Sequence, residues 1–93
     1  MTTLAIDLQK NANQNLQVTL GGNVYRLTLN TRLDELYMSI IKNGEPVIYN
    51  RICQNLNPIE EGFVFVDLDG NENPRFDQFN DRFVLTWTDG LDY

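Results

Sequence analysis

The sequence contains no histidine and only one cysteine, Cys53. With a single thiol the chain cannot form an internal disulfide, which fits folding in a reducing cytoplasm. A catalytic thiol usually needs a histidine base, and the chain has none. We therefore expect Cys53 to be a buried or half-buried structural residue.

Positive charge is also scarce, because seven Lys and Arg residues stand against 13 Asp and Glu residues, for a net charge of −6. This balance repels phosphate groups, so we expect no nucleic-acid binding and no attraction to an anionic membrane. No apolar run approaches the roughly 20 residues that span a bilayer. Residues 1–10 contain no basic segment followed by an apolar core, so we expect no signal peptide.

Motifs for catalysis are missing as well. The chain has no phosphate-binding glycine loop, no Ser-His-Asp set and no Cys-x-x-Cys pair. Several carboxylates lie in or beside predicted loops, where nothing fixes the distance between them. These are Glu60, Glu61, Asp67, Asp69 and Asp77. We therefore expect no enzyme activity, no catalytic residue and no cofactor.

One acidic loop has partial metal-site spacing. Asp67, Asp69 and Asn71 are spaced like the opening of an EF-hand calcium loop. However, Glu72 stands where that loop needs its glycine, and Gln78 stands where it needs a bidentate glutamate. The favoured interpretation is a polar turn whose side chains bond nearby amides. A calcium site is the alternative.

What the chain does contain is period-two alternation of apolar and polar residues, which is typical of half-buried strands. A length of 93 residues predicts one domain, 1–93. The pattern predicts an all-β antiparallel meander of six or seven strands, closed as a small barrel or folded into a sandwich. The predicted strands are 2–8, 15–20, 23–29, 35–42, a return strand from Glu45, 63–67 and 82–88, and 30–34 is predicted to be a connection.

A two-residue turn at Gly21-Gly22 fixes the register of the first hairpin. It sets Val18 opposite Tyr25 and keeps the apolar residues of both strands on one face. A second hairpin turns at Asn43-Gly44. Its predicted pairs are Lys42 with Glu45, Ile40 with Val47 and Met38 with Tyr49.

Three local features complete the prediction. Pro46 lacks an amide donor, so the return strand is expected to be an edge or to be bulged near its start. Leu56 and Ile59 are expected to tuck under the sheet as two apolar anchors. The segment 74–80 has Phe76 and Phe79 three residues apart, which favours one or two helical turns, with Asn73 as the expected cap.

Some apolar residues remain as candidates for an interface. Tyr37, Ile41 and Ile48 fall on the second face of the sheet, which a partner chain or another segment is expected to cover. Aromatic residues outside the predicted core are candidates for docking another protein, because aromatic side chains anchor interfaces. Together the interface candidates are Tyr37, Ile41, Ile48, Phe76, Phe79 and Tyr93.

The order of these pieces resembles a known family. The hairpins VTLGGNVYRL and ELYMSIIKNGEPVI, followed by the ending FVFVDLDGNENPRFDQFNDRFVLTW, are similar to the plug proteins of contractile-tailed bacteriophage baseplates, typified by a cyanophage baseplate plug. The resemblance covers roughly residues 2–88. It departs at Asp81, where relatives tend to have glycine, and in the segment RICQNLNPIEEG, which is poorer in glycine.

The resemblance implies a structural virion protein without an active site, made in the bacterial host cytoplasm. Such a protein closes the tail-tube lumen near the central hub, in several copies around the tail axis. Its implied partners are hub, spike and tail-tube proteins, with no membrane or nucleic acid among them. The negative charge suits a lumen traversed by like-charged DNA. The alternative function is a small β-domain adaptor that binds another protein through strand edges and exposed aromatics.

Overall fold

The protein is a two-sheet β-sandwich, shown by a computed structural model that describes residues 3–88. One antiparallel sheet has the strand order β1-β7-β6 and the other has the order β2-β3-β4-β5. The all-β prediction is therefore confirmed. The strands are β1 (Thr3–Ile6), β2 (Gln14–Leu20), β3 (Asn23–Arg32), β4 (Glu35–Lys42), β5 (Glu45–Ile52), β6 (Phe63–Asp67) and β7 (Phe83–Thr88).

A single apolar core lies between the two sheets. Tyr25 of β3 meets Phe63 of β6 edge to face, with ring centroids 5.3 Å apart. This core explains the alternation of apolar and polar residues in the sequence. The inward-facing residues of each strand are buried in it, while their neighbours along the strand face outward. Each large side chain so buried contributes about 1.5–3 kcal/mol. The largest fully buried side chains are Phe63, Phe65, Phe79, Phe83, Leu27, Leu29, Leu36, Met38, Ile40, Ile59, Leu85 and Cys53.

The first hairpin has the predicted register. Val18 lies opposite Tyr25, and Gln17 lies opposite Arg26 on the outer face. Gly21 and Gly22 take φ values of 56° and 81°, which glycine adopts without steric cost. The prediction for this hairpin is confirmed.

The second hairpin begins as predicted and then departs from it. Lys42 faces Glu45, but two register shifts follow, so that Ile40 faces Ile48 and Met38 faces Arg51. The predicted pairs of Ile40 with Val47 and of Met38 with Tyr49 are therefore wrong. The physical reason is a bulged strand, which follows from Pro46 and from the backbone at residue 50.

That backbone bends away from the ladder at Asn50. Its φ is 51°, and its N–H donates to the Ser39 hydroxyl at 2.9 Å. Such bulges are a common feature of edge strands. β5 is indeed an edge, so the prediction that Pro46 marks an edge or a bulge is confirmed.

The predicted connection 30–34 is wrong in part. β3 continues through Arg32, and a two-residue turn at Leu33-Asp34 leads into β4. Leu33 and Asp34 have φ values of 50° and 65°, a region that glycine, asparagine and aspartate tolerate but leucine rarely adopts. Because the two turn residues are Leu-Asp rather than Asn-Gly, Asp-Gly or Gly-Gly, the usual sequence signal for a hairpin is absent here.

The loops hold mixed outcomes. Ile59 is buried as predicted, but Leu56 is 63% exposed and is not an anchor. The segment 74–80 contains a single 3₁₀ turn, Phe76–Gln78. Asn73 does not cap it, because its side-chain oxygen accepts the N–H of Asn55 at 3.2 Å instead. No helix in the described residues is long and apolar enough to cross a membrane.

Gly62 and Gly44 provide a matched test of the packing between loop and sheet. Both have positive φ, 89° and 83°. A Cβ at Gly62 would lie 2.5 Å from the carbonyl oxygen of Thr88, whereas a Cβ at Gly44 meets nothing within 4 Å. We expect Gly44→Ala to cost about 1 kcal/mol from φ alone and Gly62→Ala to cost about 3 kcal/mol or more.

Denaturant titration of the two variants measures this difference. Equal losses of unfolding free energy at the two positions would contradict the close approach of Gly62 to β7.

Candidate functional site

The most connected polar group in the described residues is the carboxylate of Asp67, at the end of β6. Its side chain is fully buried. Arg82 donates to it from Nε at 2.8 Å and from Nη2 at 2.9 Å. The backbone N–H groups of Asp69 and Glu72 donate to it at 2.9 and 2.8 Å. Asp67 therefore joins both ends of the acidic loop.

These donors change the proton affinity of the carboxyl group. The bond from Arg82 lowers the pKa of Asp67 well below its usual value, the two backbone donors lower it further, and desolvation opposes them. Arg82 also pairs with Glu72 at 2.6 Å. The interpretation as a polar turn whose side chains bond nearby amides is confirmed.

The Asp67 carboxylate, which opens the calcium-like spacing, is bonded to N–H donors of the protein. Both oxygens of Asp67 already accept bonds from N–H donors. Across residues 3–88, no three side chains of His, Cys, Asp or Glu come together in a way that could hold a metal ion. We read the acidic loop as a structural lock.

A groove lies beside this loop, between the β3–β4 turn and the segment 74–77. It has a volume of about 260 Å³. Thr31 lines the groove, and its Oγ1 is buried without a hydrogen-bond partner. Within residues 3–88 it is the only buried side-chain polar atom of this kind. At the tip of the turn, Leu33 is 98% exposed. The groove is lined by Thr31, Asp34, Leu36, Pro74, Arg75, Phe76 and Asp77.

The three residues predicted to share the second face do not all do so. Tyr37 and Ile41 lie half-buried on the outer face of β4. The Tyr37 hydroxyl donates to Glu35 at 3.0 Å. Ile48 instead faces Ile40 and packs against the core, because the bulge turns its side chain inward.

The aromatic candidates are also divided. Phe76 is half-buried against the core and lines the groove. Phe79 is fully buried and stacks on Phe65 with ring centroids 5.8 Å apart, so it is a core residue rather than a surface anchor. Tyr93 lies outside the described residues. Leu33 and Tyr49, exposed to 98% and 62%, were not among the candidates.

A signal for Leu33 did exist in the sequence, since it is the only apolar residue in the polar stretch NTRLD. A signal for Tyr49 did not, because its exposure depends on the bulges in β5.

Cys53 is a structural residue, as predicted. It is 2% exposed, and burial raises the pKa of its thiol to about 12. The thiol is therefore protonated at neutral pH, and a protonated thiol is a poor nucleophile. Its Sγ donates to the carbonyl oxygen of Arg51 at 3.8 Å.

These features define a class before any comparison. Asp67, the buried charged residue of the described chain, is bonded within the fold, and several large apolar side chains, such as Leu33 and Tyr49, are exposed. A domain of this kind is a small structural β-sandwich whose surface features suit packing against other proteins.

Comparison with known proteins identifies the family. The family model described as cyanophage baseplate Pam3 plug gp18 matches residues 1–90. The chain belongs to this baseplate plug family, which gives it a structural role in a phage tail baseplate and makes an enzyme activity unexpected. No curated protein matches the chain significantly.

The structural lock is tested by Asp67→Asn. This variant keeps the side-chain shape, removes the charge and places an amide group against the Arg82 guanidinium. We expect the melting temperature at pH 7 to fall by roughly 5 °C or more. Asp69→Asn, at an exposed position of the same loop, serves as the control and should change the melting temperature little.

The same pair of proteins tests the pKa shift. Because the folded pKa of Asp67 lies below the unfolded value of about 3.9, its carboxylate stabilises the fold above about pH 4. That stabilisation is lost as the pH falls toward the folded pKa. The gap in melting temperature between wild type and Asp67→Asn should narrow below pH 4, and a constant gap would contradict the lock.

The strained turn is tested by the double variant Leu33→Asn, Asp34→Gly. Asn-Gly is the preferred pair for a two-residue turn with positive φ at both positions. We expect the variant to gain about 1 kcal/mol in unfolding free energy, measured by denaturant titration. Leu68→Asn, at a residue that is 62% exposed without positive φ, should give no such gain. A loss of stability in the double variant would show that Leu33 supports the fold.

Proposed function

We propose that this protein closes the lumen of a contractile phage tail, at the baseplate near the central hub. The observation that carries the proposal is the match of the plug family over residues 1–90. The proposed partners are hub, spike and tail-tube proteins, arranged around several copies of the plug. The protein is made in the host cytoplasm and joins the baseplate during assembly.

Size and charge support a role on the tail axis. The fold is a compact block with principal extents of 31 × 25 × 21 Å. Its net charge of −6 repels DNA, whose backbone carries one negative charge per about 1.7 Å of helix axis. A negatively charged plug does not bind the DNA and therefore does not slow its passage through the tail. Carboxylates at exposed positions 34, 35, 69 and 77 carry part of this charge.

The proposed docking surface is the tip region, defined here as Leu33, the groove beside it and the outer face of β4 at Tyr37 and Ile41. A leucine at φ 50° with 98% of its surface exposed contributes little to the isolated fold. Strained positions that persist without a benefit to folding often serve binding. Tyr49 adds an exposed aromatic side chain on β5, of the type that anchors interfaces.

A density map of the intact virion tail tip tests this proposal. We expect density for the sandwich on the tail axis, blocking the channel, with the tip region against a neighbouring baseplate protein. Tails assembled without this protein provide the control and should show an open channel at that level.

Density for the sandwich at the baseplate periphery, with the channel closed by another protein, would contradict the closing role. Absence of the protein from purified virions would favour the alternative, an adaptor that binds through strand edges and exposed aromatics.

A further inference from the structure

The outer edge of β2 is an unguarded strand edge. β2 ends the order β2-β3-β4-β5, and no strand within residues 3–88 pairs with its other side. An open edge presents backbone N–H and C=O groups that pair readily with another chain. Natural proteins therefore guard such edges with charges, proline, bulges, short strands or a covering loop.

The edges formed by β5 and β6 carry such guards. β5 contains Pro46 and two register shifts. β6 is covered by a loop, in which the Leu56 N–H donates to the Phe65 carbonyl at 2.9 Å and the Asn55 side chain accepts the Asp67 N–H at 2.8 Å.

β2 lacks the first three of these guards, and the one loop contact at its start joins residues 9–11 to the side chain of Gln14. Its seven residues, QNLQVTL, include no charge, no proline and no bulge. The neutral stretch extends from Asn11 to Tyr25, which is unusual in a chain with a net charge of −6. Like charges directly opposite each other destabilise strand pairs. If β2 pairs with β2 of a second copy, no such charge repulsion arises, because the strand has no charged residue.

Hydrogen bonds on the neighbouring strand show which groups of β2 point outward. The Val24 N–H donates to Asn43 Oδ1 at 2.9 Å, and the Val24 carbonyl accepts the Asn43 N–H at 2.7 Å. Both groups of Val24 therefore point away from β2, and its partner Thr19 exchanges no ladder bonds with it. Since ladder bonds alternate along a strand, Thr19, Gln17 and Asn15 direct their backbone groups to the open edge.

We propose that β2 pairs antiparallel with β2 of a second copy, about a twofold axis at Gln17. In this register Gln17 meets its own counterpart, Leu16 meets Val18, and Asn15 meets Thr19. Residues with outward backbone groups thus meet one another, and the half-buried side chains of Leu16 and Val18 remain on the core side. The strand is self-complementary, as a twofold contact requires.

This pairing joins the two four-stranded sheets into one continuous sheet across the dimer. It is independent of the plug proposal, because it concerns the purified chain and uses none of the tip region. A dimer formed through the edge also protects an aggregation-prone strand.

Sedimentation equilibrium of the full chain tests the proposal with three variants. In the monomer, a glutamate at position 17 lies opposite Arg26 of β3, so Gln17→Glu should not destabilise the fold. In the dimer, the same glutamate lies opposite the identical negative charge of the second copy. We expect this variant to raise the dissociation constant about fivefold. Gln17→Pro removes an outward N–H and should abolish the dimer. Asn57→Asp changes the charge equally at an exposed position in the loop between β5 and β6 and should leave association unchanged.

Amide hydrogen exchange gives a second readout at single residues. We expect the amides of Asn15, Gln17 and Thr19 to be protected in the wild type at concentrations where it is dimeric, and Asn15 and Thr19 to exchange fast in Gln17→Pro. Unchanged melting profiles and circular dichroism at low concentration establish that the variants are folded.

Two results would overturn the proposal. One is a wild-type protein that stays monomeric at the highest attainable concentration. The other is a dimer that persists in Gln17→Pro, which would place the contact on another surface.

Discussion

The structure depends on one apolar layer between two sheets, because no disulfide stabilises a chain of 93 residues. A domain this small buries only roughly 60–65% of the surface that its unfolded chain exposes. The layer is therefore thin, and side chains that reach across it matter most. Tyr25 and Phe63 meet there, one from each sheet.

Trp87 of β7 extends this contact to the edge of the layer. Its ring approaches the first hairpin turn so closely that a Cβ at Gly21 would lie 3.3 Å from it. Its indole N–H donates to the carbonyl oxygen of Glu61 at 3.0 Å, so the polar end of the side chain is also satisfied. The glycine in the turn thus serves both the backbone conformation and the packing.

Polar interactions fix the loops around the layer. The pairing of Asp67 with Arg82 holds the acidic loop against the end of the three-stranded sheet, at the last residue pair of β6 and β7. A buried carboxylate needs such partners, because an unpaired charge in the interior is costly. The loop whose spacing resembles a calcium-binding loop thus contributes to the stability of the fold.

Two places where local rules are broken lie on the surface rather than in the core. A leucine occupies a strained, exposed turn, and a neutral strand lies open at a sheet edge. Sequences that specify a fold well usually depart from these rules at functional positions. Both features suit a protein whose family works inside an assembly, where other chains cover what one chain leaves exposed.

The sequence by itself determined the strand class, the first hairpin and its register, and the structural nature of Cys53. It did so because period-two alternation and a Gly-Gly turn act through neighbouring residues. Tertiary structure alone decided the inward turn of Ile48, the burial of Phe79 and the exposure of Leu56. Those outcomes depend on bulges and on loop bonds between residues distant in the chain, and no local pattern encodes them.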